Sequence, residues 1–104
     1  MIIVLTTYPD REKAEEAARM LVGKKLAACV NIIKIEKSIY RWKGKIEENP
    51  EYLLIIKTKE KLYQRLETAV KANHPYELPE CVCIKIKAGS SNYLEWIKRS
   101  TLFF

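Results

Sequence analysis

Two stretches of this chain are apolar without a break, Ile2-Ile3-Val4-Leu5 and, much further along, Leu53-Leu54-Ile55-Ile56. Alternate side chains of an extended strand point to opposite faces, so four consecutive apolar residues need cover on both sides. The chain must therefore supply two buried strands and wrap them, all within 104 residues. A chain of that length makes one domain, 1–104, and buries only about two thirds of its unfolded surface by itself.

Each apolar run leads into a helical pattern. After the first, Asp10 can cap a helix whose Ala14, Ala17, Ala18 and Leu21 share one face, with Gly23 as the stop. After the second, Thr58 can cap a helix carrying Leu62, Leu66, Ala69 and Val70, ended by Pro75. Between them, residues 27–42 are rich in Val, Ile, Tyr and Trp and free of Pro and Gly, which predicts one long strand. Its apolar parity shifts midway, from Val30 and Ile32 to Ile33, Ile35 and Ile39 and back to Tyr40 and Trp42, the mark of a bulge. Lys43-Gly44-Lys45 is the turn into a second long strand, 46–57, interrupted at Pro50. Residues 81–87 alternate as an edge strand, and a last short helix from 93 to 99 is capped by Asn92 with Glu95.

The order βαββαβ plus a terminal helix predicts an α+β fold. It is a ferredoxin-like sandwich with an antiparallel sheet and the first and third strands at its centre. Two helices cover one face of such a sheet. The other face needs a partner, and the cheapest one is another copy of the chain.

Charge narrows the partners. The net charge is +6, from 19 Lys and Arg against 13 Asp and Glu, but the signs are interspersed, as in Asp10-Arg11-Glu12-Lys13. A solvated mixed surface follows, and nucleic acid is not the expected partner. The 31% of charged residues, rich in Lys and Glu, exceeds the roughly 25% of ordinary domains and leans toward heat stability. No apolar run approaches the ~18 residues of a membrane span, and the start lacks a basic leader, so a cytoplasmic protein is expected. Cys29, Cys81 and Cys83 are an odd number and fit a reducing compartment.

Familiar catalytic groupings are missing: His74 is the sole histidine, and no nucleophile elbow, phosphate loop or zincin pair occurs. Three readings of the chemistry stay open at this point. Cys29 and His74 would serve an uncharacterised cleft enzyme if the fold joined them. Cys81 and Cys83, two apart on one strand face, are soft donors lacking a third ligand nearby. Tyr40, Trp42, Tyr52, Tyr76, Tyr93 and Trp96 raise an RNA- or nucleotide-binding module of the same topology. That module, however, would place basic and aromatic residues where Leu53 to Ile56 stand.

Several segments together resemble the CutA divalent-cation tolerance family. They are Leu26-Ala27-Ala28-Cys29-Val30-Asn31-Ile32, Ser38-Ile39-Tyr40-Arg41-Trp42-Lys43-Gly44-Lys45-Ile46, Leu54-Ile55-Ile56-Lys57-Thr58 and His74-Pro75-Tyr76-Glu77-Leu78-Pro79-Glu80, with Tyr93-Leu94-Glu95-Trp96 near the end. The resemblance implies a tightly packed homotrimer similar in architecture to PII signalling proteins. It also implies a part in copper and divalent-metal tolerance, and no established catalysis. It places Tyr40, Trp42, Lys57, Thr58, His74, Tyr76 and Glu80 at family motif positions, with Asn31 and Ser38 as further candidates for a ligand cleft between subunits. A structural role competes for each: aromatics sealing the trimer, Lys57 paired with Glu80, His74 satisfying its loop. Copper binding in the family is linked to a cysteine late in the first strand and to paired histidines before the Pro-Tyr pair. Here Thr6 and Asn73 stand at two of those places, so His74 alone remains as a metal ligand. Cu(II) or another divalent cation is then expected to bind weakly, a small anionic ligand is the other candidate, and no cofactor is required.

Overall fold

The structure, a computed structural model, describes residues 1–103. Strand β1 (Ile2–Tyr8) leads to helix α1 (Arg11–Gly23), and strands β2 (Cys29–Trp42) and β3 (Lys45–Thr58) form a long hairpin. A single 3-10 turn (Glu60–Leu62) opens helix α2 (Tyr63–Ala72), and strand β4 (Val82–Lys85) and helix α3 (Ser91–Arg99) complete the described elements. The sheet order is β2-β3-β1-β4 with every neighbouring pair antiparallel. The two apolar runs thus occupy the central strands, as their patterning demands.

Register fixes which residues share a face. Val4 lies opposite Ile56 and Thr6 opposite Leu54, and these side chains are fully enclosed with Leu21, Leu62, Leu66 and Val70 of the helical layer. The opposite face carries Ile3 and Leu5 of β1, Leu53 and Ile55 of β3, Ile33 of β2, and Val82 and Ile84 of β4. None of these seven is fully buried, and Ile33, Val82 and Ile84 are 46%, 47% and 51% exposed.

The hairpin outgrows the sheet. β1 pairs with β3 only between Tyr52 and Thr58, so residues 45–51 pair with β2 alone and form a two-stranded arm. The molecule is 44 Å long in consequence. The expected bulge lies between Ile35 and Ser38, where Glu36 and Lys37 oppose Pro50. Proline has no N–H to give to a ladder, so the point where the ladder breaks is where it costs least. Lys43 and Gly44 close the hairpin with φ of 50° and 80°, the paired left-handed conformation of a tight hairpin turn.

Three helix signals need correction. Asp10 caps α1 as expected, its Oδ1 accepting from the Lys13 N–H at 2.8 Å, but the left-handed residue beyond the helix is Lys25 and not Gly23. Thr58 does not cap α2. It is the last residue of β3, and its buried hydroxyl donates to the Leu26 carbonyl at 2.6 Å. The α3 cap is Ser90, whose Oγ accepts from the Tyr93 N–H, and Asn92 lies inside the helix.

Candidate ligand depression beside the loop after α2

The loop that follows α2 is pinned to the end of β1 by His74. Its Nε2 lies 2.8 Å from the Thr7 carbonyl oxygen, and the Tyr76 N–H reaches its Nδ1 at 3.1 Å. A carbonyl can only accept and an amide N–H can only donate, so both contacts require the same tautomer, with the proton on Nε2. The ring stacks on Tyr8 at 4.2 Å and leans on Tyr76 at 5.0 Å. Burial holds His74 below its ordinary value of 6.5, against the smaller opposing pulls of the Thr7 carbonyl and Glu51. Tyr8, half of the stack, is pushed up to about 12 by burial and then by Cys81.

From this pinned loop Tyr76 crosses to β3, its hydroxyl donating to Glu51 Oε2 at 2.7 Å. Burial first, and that carboxylate second, push the Tyr76 phenol up. Glu80, further along the loop, is raised by burial and then by repulsion from Glu51. On the arm, Asn49 donates to the Tyr40 hydroxyl at 2.8 Å, and Lys43 lies 5.5 Å over the Trp42 ring and 4.0 Å from Glu77 Oε2. Arm, loop and the ends of β1 and β3 enclose an open depression of about 830 Å³, with Thr7 and Leu53 among its lining residues.

This depression gathers part of the expected set. Ser38, Tyr40, Trp42, Tyr76 and Glu80 all line it. Asn31 and Lys57 do not. The Lys57 ammonium donates to Asn31 Oδ1 at the other end of the same sheet face, and the Lys57–Glu80 pair is not formed within the chain. Thr58 is enclosed in the core. Cys29 lies opposite Lys57, several residues along the sheet from Thr7 and His74, so the fold separates the proposed nucleophile and base. Nor does the open face offer a stacking platform for RNA, because Ile3, Leu5, Leu53 and Ile55 occupy its centre.

Both nitrogens of His74 are engaged, so a metal ion would have to break one of these bonds to use the ring. Among the described residues no three of His, Cys, Asp and Glu come together as a metal site. Glu51, which accepts from Tyr76, is among the lining residues that the sequence reading missed, with Arg41, Lys43 and Glu77. The one signal for Glu51 was a carboxylate two residues before Leu53, hence on the same strand face as the apolar stripe.

A family model described as CutA1 divalent ion tolerance protein matches residues 2–100. The chain belongs to this family. The divalent-cation tolerance protein CutA of Thermus thermophilus is 44% identical over 99 residues, which cover 95% of this chain and 96% of that protein. A chloroplastic CutA of Arabidopsis thaliana is 47% identical over 100 residues, 96% of this chain but 55% of that protein, so the chain spans little more than half of that relative. The crystal structure of CutA1 from Pyrococcus horikoshii superposes with a TM-score of 0.94 at 38% identity, covering 99% of this chain and 100% of that one. The CutA1 fold thus extends over nearly the whole of this chain.

One residue of the first strand has a measurable cost. Thr6 is fully enclosed on the helical side of the sheet, and its Oγ1 has no hydrogen-bond partner among the described residues. An unpaired buried hydroxyl forfeits its hydration without return. Thr6→Val keeps the shape and removes the polar atom, so it should raise stability by about 1 kcal/mol. Urea denaturation at fixed protein concentration measures this, and a loss of stability would reveal a partner for the hydroxyl.

Proposed function

We propose that the protein acts without catalysis in the tolerance of, or response to, divalent metal ions, as a homotrimer holding a small ligand in the depression around Tyr76. The observation that carries this reading is the continuous match of residues 2–100 to a family of divalent ion tolerance proteins. The uncovered apolar sheet face and the two-stranded arm support self-assembly, because an isolated ribbon is marginally stable in water at best. Arg41 and Lys43 line the depression beside Glu51, Glu77 and Glu80, which suits a small polar ligand whose anionic group faces the two cations. Three free cysteines suit a reducing compartment such as the cytoplasm, and no helix among the described residues is long and apolar enough to cross a membrane.

Direct copper binding is weak in this reading. The His74 ring is already committed on both sides, Asn73 offers only an amide, and Thr6 is sealed in the core. Calorimetry with Cu(II) should give a dissociation constant weaker than about 1 μM. Submicromolar affinity would mean that the histidine clasp opens for metal, or that Cys81 and Cys83 are the ligands. Light scattering should return three times the 12.2 kDa chain mass, and a folded monomer at micromolar concentration would defeat the assembly.

A further inference from the structure

Two thiols sit together on the helical side of the sheet, away from the depression. Cys83 lies opposite Val4 in the β1–β4 ladder, and Val4 is enclosed beneath the helices, so the Cys83 side chain stands on that side at the outer edge of the sheet. Cys81, one residue before β4, packs against the core cluster on the same side. Val82 between them projects to the open face. Both thiols are free, Cys81 half-buried and Cys83 exposed, and each feels the other's charge.

Spacing separates a disulfide from a metal bridge. Alternate residues of a strand lie roughly 7 Å apart, at the outer limit for a disulfide, whose S–S bond is only about 2.05 Å. An ion held in line about 2.3 Å from each sulfur asks instead for sulfurs about 4.6 Å apart, which χ1 rotation at the two residues can reach. No third His, Cys, Asp or Glu completes a metal cluster with them among the described residues, so ions that need three or four donors are poorly served. A soft ion content with two thiolates is not. The surroundings suit a sulfur held in reserve. Burial raises the Cys81 thiol, while the Tyr63 hydroxyl, 3.8 Å from its Sγ, and then Lys71 pull the other way. Glu67 opposes the thiolate, but its own charge is shared between the Tyr63 hydroxyl at 2.9 Å and Lys71 at 3.9 Å.

We propose that Cys81 and Cys83 form a two-coordinate site for a soft monovalent metal ion, Cu(I), at the outer edge of the sheet. Each thiol releases its proton to solvent as its Sγ–Cu bond forms, and the ion keeps its oxidation state. The bis-thiolate then carries one negative charge beside Lys71. Cu(II), which prefers four nitrogen and oxygen donors in a plane, gains little from this pair, so oxidation state decides which donors of the chain are used. The site uses neither the depression nor the open face, so it stands or falls apart from the ligand and assembly readings above.

Cu(I) supplied without oxygen, in competition with a chromophoric Cu(I) chelator, tests the site. The wild type should draw one ion per chain from the chelator and show an ultraviolet thiolate-to-copper band. Cys83→Ser, at an exposed edge position, should weaken binding by about tenfold or more, and Cys81→Ser with Cys83→Ser should abolish the band. Cys29→Ser and His74→Phe should bind as the wild type does. Circular dichroism confirms that each variant is folded, and if the double variant is not, Cys83→Ser alone decides. A wild type that takes no Cu(I) from the chelator, a Cys83→Ser variant with unchanged band and affinity, or a loss that follows Cys29 or His74 instead overturns the proposal.

Discussion

Replacing His74 with alanine is expected to cost about 3 kcal/mol of folding stability, from two lost hydrogen bonds that leave their partners bare and one lost aromatic stack. The partners are the Thr7 carbonyl and the Tyr76 N–H, and the stack is with Tyr8. His74→Phe keeps the stack and loses the bonds, so about 2 kcal/mol should remain as the loss. The same clasp makes stability depend on pH. The folded chain holds His74 below the ordinary 6.5, so on acidification the unfolded chain takes up its proton first. The stabilisation is complete above about pH 6.5 and is lost as pH falls from there through the lowered folded value. Protonation at Nδ1 also sets a donor against the Tyr76 N–H. The charged and titratable groups nearby are Tyr8 on β1, Glu51 on β3, and Tyr76 and Glu80 on the loop. Glu80 acts in the opposite sense: its carboxyl is raised above 4.5 on folding, so its contribution favours low pH and fades as pH rises through the raised value. Urea titrations of wild type and His74→Phe between pH 5 and 8, at one protein concentration, separate the two. The difference between the proteins should shrink with acid, and a pH-independent difference would show that the ring is held in some other protonation state.

The central strands, the bulge and the hairpin turn were legible because each follows from a local rule. Unbroken apolar runs, a parity shift and a Gly at a turn do not depend on distant residues. The misplaced cap at Thr58 has the opposite origin. A threonine before a helical pattern is a good local cap, but here the Leu26 carbonyl, 32 positions away, captured the hydroxyl. Ser90 and Asn92 were both competent, and the helix began at the earlier one. The candidate site divides along the same line. Tyr76 stood out within the His74-to-Glu80 motif segment, yet the carboxylate it reaches, Glu51, lies 25 positions back in sequence. Likewise nothing local separates Lys57 from Glu80. Strand register puts Lys57 beside Cys29, while Glu80 lines the depression with Leu53 and Thr7, several residues away along the sheet.

Trp42→Ala is expected to weaken self-assembly by several kcal/mol, about 3–5 by comparison with other large aromatic truncations, while leaving the core of the single chain intact. Trp42 lies near the tip of the two-stranded arm, opposite Lys45 and beyond the reach of β1, so no buried cluster of its own chain depends on it. Its ring lines the depression beneath Lys43, and around it Tyr40, Ile39 and Ile46 are 41%, 65% and 65% exposed. An arm this apolar, with one paired edge and no third strand, is stabilised only when another surface covers it. The largest ring on the arm is then the natural anchor of that contact, in the manner of aromatic hot spots at interfaces. Loss should therefore appear in dissociation on dilution, with the circular dichroism of the dissociated chain unchanged. Trp42→Phe, which retains most of the apolar area, should recover more than half of the effect. If the alanine variant dissociates at the same concentration as the wild type, the arm is not an assembly element, and Trp42 is to be read as a wall of the ligand depression alone.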